Sequence, residues 1–345
     1  MKTYKNLYDE LVSIENVKLA IKNCSKGKMK RRKFKQLKQM PENYIKPVIE
    51  YIKHFHNAPH TPKIIYDGIQ RKKRSIIVPT MMEQIVHHAL VNIVKPIISK
   101  PFYYHSYGSI PGKGAHSAKW YLTKYIQTVK PKYCLKMDIK KYFDNVDIEI
   151  LKTKFKRIIK DDKFLNILFK VLDVLPKGIP LGFYTSQWIA NFFLTDLDHF
   201  IKEKLKAKCY IRYMDDMVIL DDDKELLHKM RKQIDNELHK IKLELKGNYA
   251  VFPINSRFID FLGIKFYTNR TTLRKNLFYK CYAKALRIKK RGINIHSVRQ
   301  MLSYKGWVEA SDTKHFYKTK IEPLINFKTL QMYESHYDKR SNHGI

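Results

Sequence analysis

Two apolar segments of this chain carry aspartates at their ends, and these segments constrain the fold more than any other feature of the sequence. Residues 133–139 (YCLKMDI) are typical of a strand, and Asp138 lies near its end. Residues 209–220 are typical of two strands hinged at the acidic pair Asp215 and Asp216. Acids placed in this way would meet at one edge of a sheet.

Helical patterns lie between and after these strands, at residues 147–159, from Thr185 or Ser186 to about residue 200, and at residues 224–245. A last strand is expected at residues 258–266. This order is that of a split β-α-β-β-α-β unit. We therefore expect an α+β fold in which one small sheet is backed by helices.

The converging acids indicate metal-dependent chemistry. Three carboxylates from different strands would repel one another unless cations lay between them. Oxygen-rich sites suit Mg²⁺, and two such ions about 4 Å apart can activate a 3′-hydroxyl and stabilise a departing pyrophosphate. The alternative is that Asp215 and Asp216 are ordinary turn residues. The apolar strands on both sides favour a buried hairpin whose tip faces a cleft.

Other acids and histidines are expected to be structural. Asp147 is well placed to cap a helix. Residues 161–162 and 221–223 are interpreted as turn chemistry. His87 and His88 are expected on a helix surface rather than at a metal.

The net charge indicates a polyanionic partner. The chain has 68 Lys and Arg against 32 Asp and Glu, a formal charge of +36 in 345 residues. Residues 1–60 carry 14 basic and 5 acidic residues, and residues 273–345 carry 16 and 5, so the ends are about twice as charge-dense as the middle. A run of eight cations in residues 26–38 favours contact with a phosphate backbone. The alternative is a solvated basic face.

Other classes of protein are excluded by pattern. Acidic residues within the first twenty positions argue against a signal peptide. No run of 18 apolar residues exists, so no membrane partner or span is expected. Four scattered cysteines fit neither a disulfide framework nor a zinc cluster and suit a reducing, cytoplasmic setting.

Several blocks of the sequence resemble, in order, the motifs of reverse transcriptases. Residues 213–216 (YMDD) resemble the YxDD box, and residues 136–143 (KMDIKKYF) resemble the box with the first metal-binding aspartate. Four more blocks resemble the fingers motif, the Tyr-Gly-x-x-Pro-Gly-x-x block, the primer-grip strand pair and a thumb element, at residues 74–80 (RSIIVPT), 106–114 (SYGSIPGKG), 258–263 (FIDFLG) and 303–307 (SYKGW). The resemblance covers about residues 60–325.

Residues 178–187 (GIPLGFYTSQ) separate subfamilies. Most reverse transcriptases carry Pro-Gln-Gly followed by Ser-Pro, whereas here Leu181 replaces the Gln and Gln187 replaces the second Pro. This pattern is similar to the reverse transcriptases of diversity-generating retroelements, which copy a template RNA with errors opposite adenines. A Gln beside the nascent base pair can penalise misplacement through hydrogen bonds, whereas Leu offers only contact area. The alternative is that Leu181 simply packs.

The resemblance implies roles for single residues around the acids. Asp138 and Asp215 would bind two Mg²⁺ ions, for which Mn²⁺ could substitute, together with the backbone carbonyl of Ile139. Asp216 would be a third acid, closer to the primer end. Lys246 would protonate the pyrophosphate.

Further residues would bind the incoming dNTP. Phe143 matches a steric gate that excludes a 2′-hydroxyl, and its alternative is a core aromatic. Arg74, with Lys72 beside it, would clamp the triphosphate, and its alternative is surface charge. Leu181 and Gln187 would lie beside the nucleotide. The RNA-binding candidates are the basic residues of the two chain ends, Lys30, Arg31, Arg32, Lys33, Lys289, Lys290 and Arg291.

Together these features predict a right-hand polymerase with a ferredoxin-like palm, helical fingers and a helical thumb. The domains would be a basic helical extension at 1–60, fingers and palm at 61–272, and a thumb at 273–345. The expected function is error-prone RNA-directed DNA polymerisation in a diversity-generating retroelement of a bacterium or phage. By resemblance, its partners would be a template RNA, the RNA/DNA hybrid and a pentameric accessory variability protein. The alternatives are a retron, group II intron or phage-defence reverse transcriptase, and a non-catalytic RNA-binding protein on a polymerase fold.

Overall fold

The structure is a computed structural model that describes residues 2–28, 31–67 and 72–342. Its helices are α1 (Leu7–Leu11), α2 (Ile14–Ser25), α3 (Arg32–Gln39), α4 (Glu42–Lys53), α5 (Met81–Ile98), α6 (Ala115–Val129), α7 (Tyr142–Asn145), α8 (Ile148–Ile158), α9 (Asp162–Leu172), α10 (Tyr184–Phe193), α11 (Thr195–His199), α12 (Lys224–Lys240), α13 (Lys275–Arg291), α14 (Ile295–Glu309), α15 (Lys314–Phe316) and α16 (Phe327–Asn342). Its strands are β1 (Lys63–Asp67), β2 (Lys72–Ile76), β3 (Tyr133–Asp138), β4 (Cys209–Tyr213), β5 (Asp216–Asp221), β6 (Ala250–Pro253), β7 (Ile259–Phe261), β8 (Ile264–Phe266) and β9 (Thr271–Leu273). Single π-helical turns follow α11 and α15.

A four-stranded sheet forms the palm. Its strand order is β4-β5-β3-β6, and every neighbouring pair is antiparallel. The first of these strands in the chain therefore lies between the third and the fourth, as in a split β-α-β-β-α-β unit. Asp138 of β3 lies directly opposite Asp216 of β5. The expected α+β palm, with acids at one edge of the sheet, is confirmed.

The position predicted for the last palm strand is wrong. β6 ends at Pro253, opposite Tyr133, and residues 258–266 instead form the hairpin β7-β8 of a separate three-stranded sheet. Leu262 and Gly263 form the hairpin turn with φ values of 53° and 80°. Two successive residues with positive φ fold a strand sharply back on itself. The segment therefore cannot cross the palm sheet as one strand.

The palm sheet is covered on both faces. Leu135 and Met137 point to one face, where they belong to the main core with residues of α8, α10 and α12. Cys134 points to the other face, where it packs with residues of α6 and of β7 and β8. Because side chains alternate along a strand, Lys136 and Asp138 share the face of Cys134.

Aspartate caps begin several palm helices. The carboxylate of Asp147 accepts a hydrogen bond from the backbone nitrogen of Ile150 at the start of α8. Asp161 and Asp223 cap α9 and α12 in the same way. The predicted cap at Asp147 and the structural roles of the other two are confirmed.

Two predicted helix limits differ from the structure. α12 ends at Lys240 because Lys242 has a left-handed backbone with φ of 58°, which stops the helix before residue 245. α10 begins at Tyr184, ahead of the expected Thr185 or Ser186. Neither hydroxyl caps the helix, since the Ser186 hydroxyl donates to the Pro180 carbonyl and that of Thr185 lies 3.0 Å from His87 Nδ1.

The prediction that His87 and His88 lie on a helix surface is wrong. Both are buried, because α5 packs against α2 on one side and α10 on the other. The His88 ring stacks on Tyr184 with 4.0 Å between centroids. Burial lowers the pKa of His87 to about 3 and that of His88 to about 4, so both rings are neutral at pH 7.

The two basic ends of the chain are helical. Helices α1 to α4 contribute to the main core, and α2 packs along α5. Helices α13 to α16 enclose a third core of their own. The predicted domain limits at residues 60 and 272 stay predictions. Within the described ranges, no helix combines the length and apolarity needed to cross a membrane.

Candidate active site

The turn between β4 and β5 brings Asp215 beside Asp138. Met214 and Asp215 form a two-residue turn, and the backbone nitrogen of Ile139 donates to the Asp215 carbonyl over 3.2 Å. Burial and the neighbouring Asp138 carboxylate raise the pKa of Asp215 from its usual 3.8 to about 6. Two carboxylates in contact resist full ionisation unless a cation joins them. The structure thus brings together the predicted ligands Asp138, Ile139 and Asp215.

Two lysines contact these acids. The ammonium of Lys246 donates to Asp138 Oδ1 over 2.5 Å, and its backbone nitrogen donates to the Asp138 carbonyl over 2.8 Å. Lys246 therefore contacts one of the predicted metal ligands, and its role as a proton donor stays a prediction. Lys136 forms an ion pair with Asp216, and burial lowers the pKa of Lys136 to about 8. No role was predicted for Lys136 from the sequence, although the alternation of side chains along the strand places it on the same face as Asp138.

The donor set fits a divalent cation in part. Asp138 and Asp215 supply adjacent carboxylate oxygens, the ligand type that Mg²⁺ prefers. Asp216, the predicted third acid, is instead turned to Lys136. In the part of the chain that the structure describes, no three His, Cys, Asp or Glu side chains are grouped closely enough to hold a metal ion. The pair Asp138 and Asp215 is therefore the better-supported ligand set.

A large cleft of about 1030 Å³ adjoins the acids. Asp216 contributes to its wall, and Lys72 and Arg74 of β2 face it from the fingers. Lys72 and Arg74 belong to one sheet and Asp216 to another, and the strands that carry them are about 140 residues apart in the sequence. The cleft therefore brings both predicted triphosphate ligands to the same space as an acid of the YMDD turn.

The wall of this cleft on the thumb side is lined by basic residues, and these residues were not predicted from the sequence. Its basic lining residues are Arg274, Lys280, Lys284, Arg287 and His296. Lys280, Lys284 and Arg287 recur at the spacing of one helical face of α13, which is the signal that could have found them. Burial and the nearby Arg287 lower the pKa of Lys284, as expected where like charges crowd.

The other predicted nucleotide ligands, Phe143, Leu181 and Gln187, are not among the residues that line the cleft. The backbone nitrogen of Ile179 donates to the Phe143 carbonyl over 2.8 Å. Leu181 accepts a hydrogen bond from the backbone of Ile77, and Gln187 accepts one from the Ser109 hydroxyl over 3.0 Å. Residues 178–182 therefore lie between the end of β2 and α7. The roles of Phe143, Leu181 and Gln187 in nucleotide binding stay predictions.

The predicted RNA-binding residues lie at two separate places. Arg32 and Lys33 are exposed at the start of α3, and Arg31 lines a cavity of about 290 Å³ together with Lys28 and Tyr184. Residues 289–291 form the exposed last turn of α13. Lys30 lies outside the described residues.

Known proteins are similar to this chain. Residues 59–266, more than half of the chain, match the family model described as reverse transcriptase (RNA-dependent DNA polymerase). Protein YkfC of Escherichia coli (strain K12) is 25% identical over 248 residues, which cover 58% of this chain and 65% of YkfC. The group II intron-encoded protein LtrA of Lactococcus lactis subsp. cremoris is 25% identical over 233 residues, covering 61% of this chain and 38% of LtrA.

A bacterial retron protein and a eukaryotic structure are also similar. The retron Ec73 reverse transcriptase of Escherichia coli is 28% identical over 140 residues, covering 37% of this chain and 44% of that protein. The chain thus spans less than two thirds of each of these three relatives. The solved telomerase of Candida albicans, in complex with a fragment of telomeric RNA, shares the fold with a TM-score of 0.50 at 13% identity, covering 82% of this chain and 58% of that one. From its motifs, its palm and this family match, the chain belongs to the reverse transcriptase family.

Proposed function

We propose that this protein is an RNA-directed DNA polymerase that extends a DNA primer with dNTPs on an RNA template. The observation that carries the proposal is the position of Asp215 beside the end of β3, which carries Asp138, next to Asp216 in the wall of a cleft with basic lining residues. Phosphoryl transfer needs positioning and charge stabilisation more than covalent participation. Adjacent acids and facing cations provide both.

Each group has a distinct task in this reaction. Asp138 and Asp215 would hold divalent cations, either Mg²⁺ or Mn²⁺. These cations would activate the primer hydroxyl and stabilise the negative charge of the phosphates. Arg74 and Lys72 orient the triphosphate from the fingers side of the cleft. The ammonium of Lys246, beside Asp138, provides a proton for the departing pyrophosphate. The cations of α13 hold the phosphates of the hybrid duplex.

A paired substitution tests this proposal. Asp215→Ala with Asp216→Ala is expected to abolish primer extension on an RNA template while binding of the same template, followed by fluorescence anisotropy, stays unchanged. The two substitutions remove Asp215, one of the two proposed metal ligands, together with Asp216, but they leave the basic residues of the cleft walls in place. Extension at the wild-type rate by the double variant would contradict the assignment. Equal losses of primer extension and of template binding would indicate that the double variant is misfolded. Asp222→Ala, which removes an acid outside the cleft, is the matched control and is expected to keep both activities.

The finer proposal is that the polymerase serves a diversity-generating retroelement, with a template-repeat RNA and a pentameric accessory variability protein as partners. The support is the block at residues 178–187, where Leu181 stands in the place of a Gln. The backbone carbonyl of Leu181 accepts a hydrogen bond from the Ile77 nitrogen over 2.8 Å, just after the strand that carries Lys72 and Arg74. We propose that the protein acts in the cytoplasm of a bacterium, encoded there or by a phage.

Error spectra test the finer proposal. Complementary DNA made by the purified protein on its neighbouring transcript, with and without the accessory protein, is expected to carry substitutions concentrated opposite adenines. Leu181→Gln is expected to lower that error rate several-fold, because a hydrogen-bonding side chain restores discrimination. An unchanged spectrum in the variant rejects the role of Leu181.

A retron or group II intron polymerase without targeted mutagenesis is the second candidate. The similarity to the retron Ec73 reverse transcriptase and to the group II intron-encoded protein LtrA favours it. Errors spread evenly over the four template bases would support this candidate. A non-catalytic RNA-binding protein is disfavoured by the retained aspartates, and measurable extension excludes it.

A further inference from the structure

The turn that carries Asp215 rests on a buried ion pair. Arg212 is 1% exposed and Asp198, in α11, is 0% exposed. Arg212 Nε donates to Asp198 Oδ1 over 2.7 Å, and Nη2 donates to Oδ2 over 2.6 Å. A carboxylate bound by both arms of a guanidinium has a fixed orientation as well as a neutralised charge. Asp198 therefore fixes the plane of the Arg212 guanidinium.

The third arm of the guanidinium reaches the catalytic turn. Arg212 Nη1 donates to the Met214 carbonyl over 3.0 Å and to Asn191 Oδ1 over 3.3 Å. Met214 directly precedes Asp215. Its backbone φ is 56°, in the left-handed region that residues other than glycine rarely adopt. Such a backbone persists where its surroundings hold it. The hydrogen bond to the Met214 carbonyl is one of those restraints.

The loop that contains Gly108 packs against the same turn. Asn191 Nδ2 donates to the Gly108 carbonyl over 2.8 Å. A Cβ on Gly108 would lie 2.6 Å from Met214 Cγ and 2.8 Å from the Met214 nitrogen. The backbone of Tyr107 pairs with Arg212 over 3.0 Å. The turn is thus held between an ion pair beneath it and a glycine that leaves room for Met214.

We propose that Arg212 is a positioning residue for DNA synthesis, because its guanidinium, oriented by Asp198, sets the place of the Asp215 carboxylate through the Met214 carbonyl. This inference rests on the proposed role of Asp215. A lysine would keep the charge beside Asp198, but a single ammonium cannot reproduce three donors in a rigid planar fork. The geometry of the guanidinium, rather than its charge, is the property that matters.

The test compares Arg212→Lys with Tyr210→Phe. The Tyr210 hydroxyl donates to Asp198 Oδ1 over 2.8 Å, so the control removes a buried hydrogen bond of the same network without touching the turn. Arg212→Lys is expected to lower kcat for primer extension about tenfold to a hundredfold, since small misplacements of reacting groups cost that much. The KM for dNTP and the Kd for primer–template are expected to stay within about threefold, and half-maximal activity should need more Mg²⁺. Tyr210→Phe should keep the wild-type kcat.

Wild-type kcat in Arg212→Lys overturns the proposal, and so does an equal kcat loss in Tyr210→Phe, which would assign the network to general stability. If thermal unfolding shows that Arg212→Lys does not fold, Gly108→Ala displaces Met214 from the other side and leaves the ion pair intact. Loss of kcat with retained template binding in Gly108→Ala supports the proposal, and an unchanged kcat overturns it. Asp215→Asn is measured in parallel, because extension by that variant would instead contradict the proposed role of Asp215.

Discussion

At the scale of single residues, the position of Asp215 beside Asp138 lowers the stability of the fold. The pKa of Asp215 is raised because burial and Asp138 disfavour its charged form. Below pH 3.8 the group is protonated in the folded and the unfolded chain, so it has no effect. The destabilisation grows as the pH rises from 3.8 to about 6 and is complete above that. Asp215 therefore lowers the stability of the folded chain at neutral pH, and cation binding at the proposed site would offset this cost.

Asp215→Asn is accordingly expected to raise the thermal stability of the protein at pH 7.5 in the absence of divalent cations. A rise in Tm of about 2 °C or more would correspond to the relief of one buried like-charge contact. The difference should shrink on addition of Mg²⁺, which stabilises only the wild-type pair, and should vanish near pH 4. Differential scanning calorimetry in EDTA and in Mg²⁺ measures both effects. A lower Tm for the variant in EDTA at pH 7.5 would mean that the lysines already neutralise the acids.

At the scale of elements, the sequence predicted strands and helix faces better than their pairing. The strands β3, β4 and β5 follow from apolar runs with acids at their ends, and the cap at Asp147 follows from local chemistry. The last palm strand was placed too late, because residues 258–266 are as strand-like as residues 250–253, and strand propensity does not say which sheet a strand joins. The left-handed backbone of Leu262 and Gly263 turns residues 258–266 into a hairpin of a separate sheet.

The same limit applies to helix α5. Its histidines were expected on a polar helix surface, yet both are buried and contact Thr185 and Tyr184 of α10. A covered helix face is defined by what packs on it, and the packing elements come from residues 14–25 and 184–193. Sequence periodicity within one helix cannot supply that information.

At the scale of the whole molecule, the charge of +36 includes two separate groups of basic residues, and we propose that the two groups have different roles. The cations of α13 line the cleft, whereas Arg31, Arg32 and Lys33 are exposed at α3. A triple Ala substitution at these three residues is expected to weaken RNA binding and to reduce the slope of log affinity against log salt by about 2, as three lost contacts with single-stranded phosphates require. Extension of a saturating short primer–template should persist. Anisotropy titrations over a salt series measure the slope.

The matched control places the same substitutions at Lys224, Lys229 and Lys232, exposed on α12, which packs on the palm face opposite the acids. This variant loses an equal charge, so a non-specific effect of net charge would appear in both proteins. An identical change of slope in the two variants would reject a specific RNA contact at α3. It would then leave the thumb wall as the principal RNA-binding surface.

The sequence by itself determined the polymerase fold class and the strands that carry Asp138 and Asp215, because these follow from motif order and strand pattern. The roles of Asp138, Asp215 and Lys246 and the polyanionic partner stay predictions, made from motif resemblance and charge. The tertiary structure alone decided which acids meet: Asp215 contacts Asp138, while Asp216 turns to Lys136. It also decided that Arg212 supports the turn from beneath and that α13 lines the cleft. These contacts join residues far apart in the chain, and their geometry depends on the packing of sheets and helices against one another rather than on any local pattern.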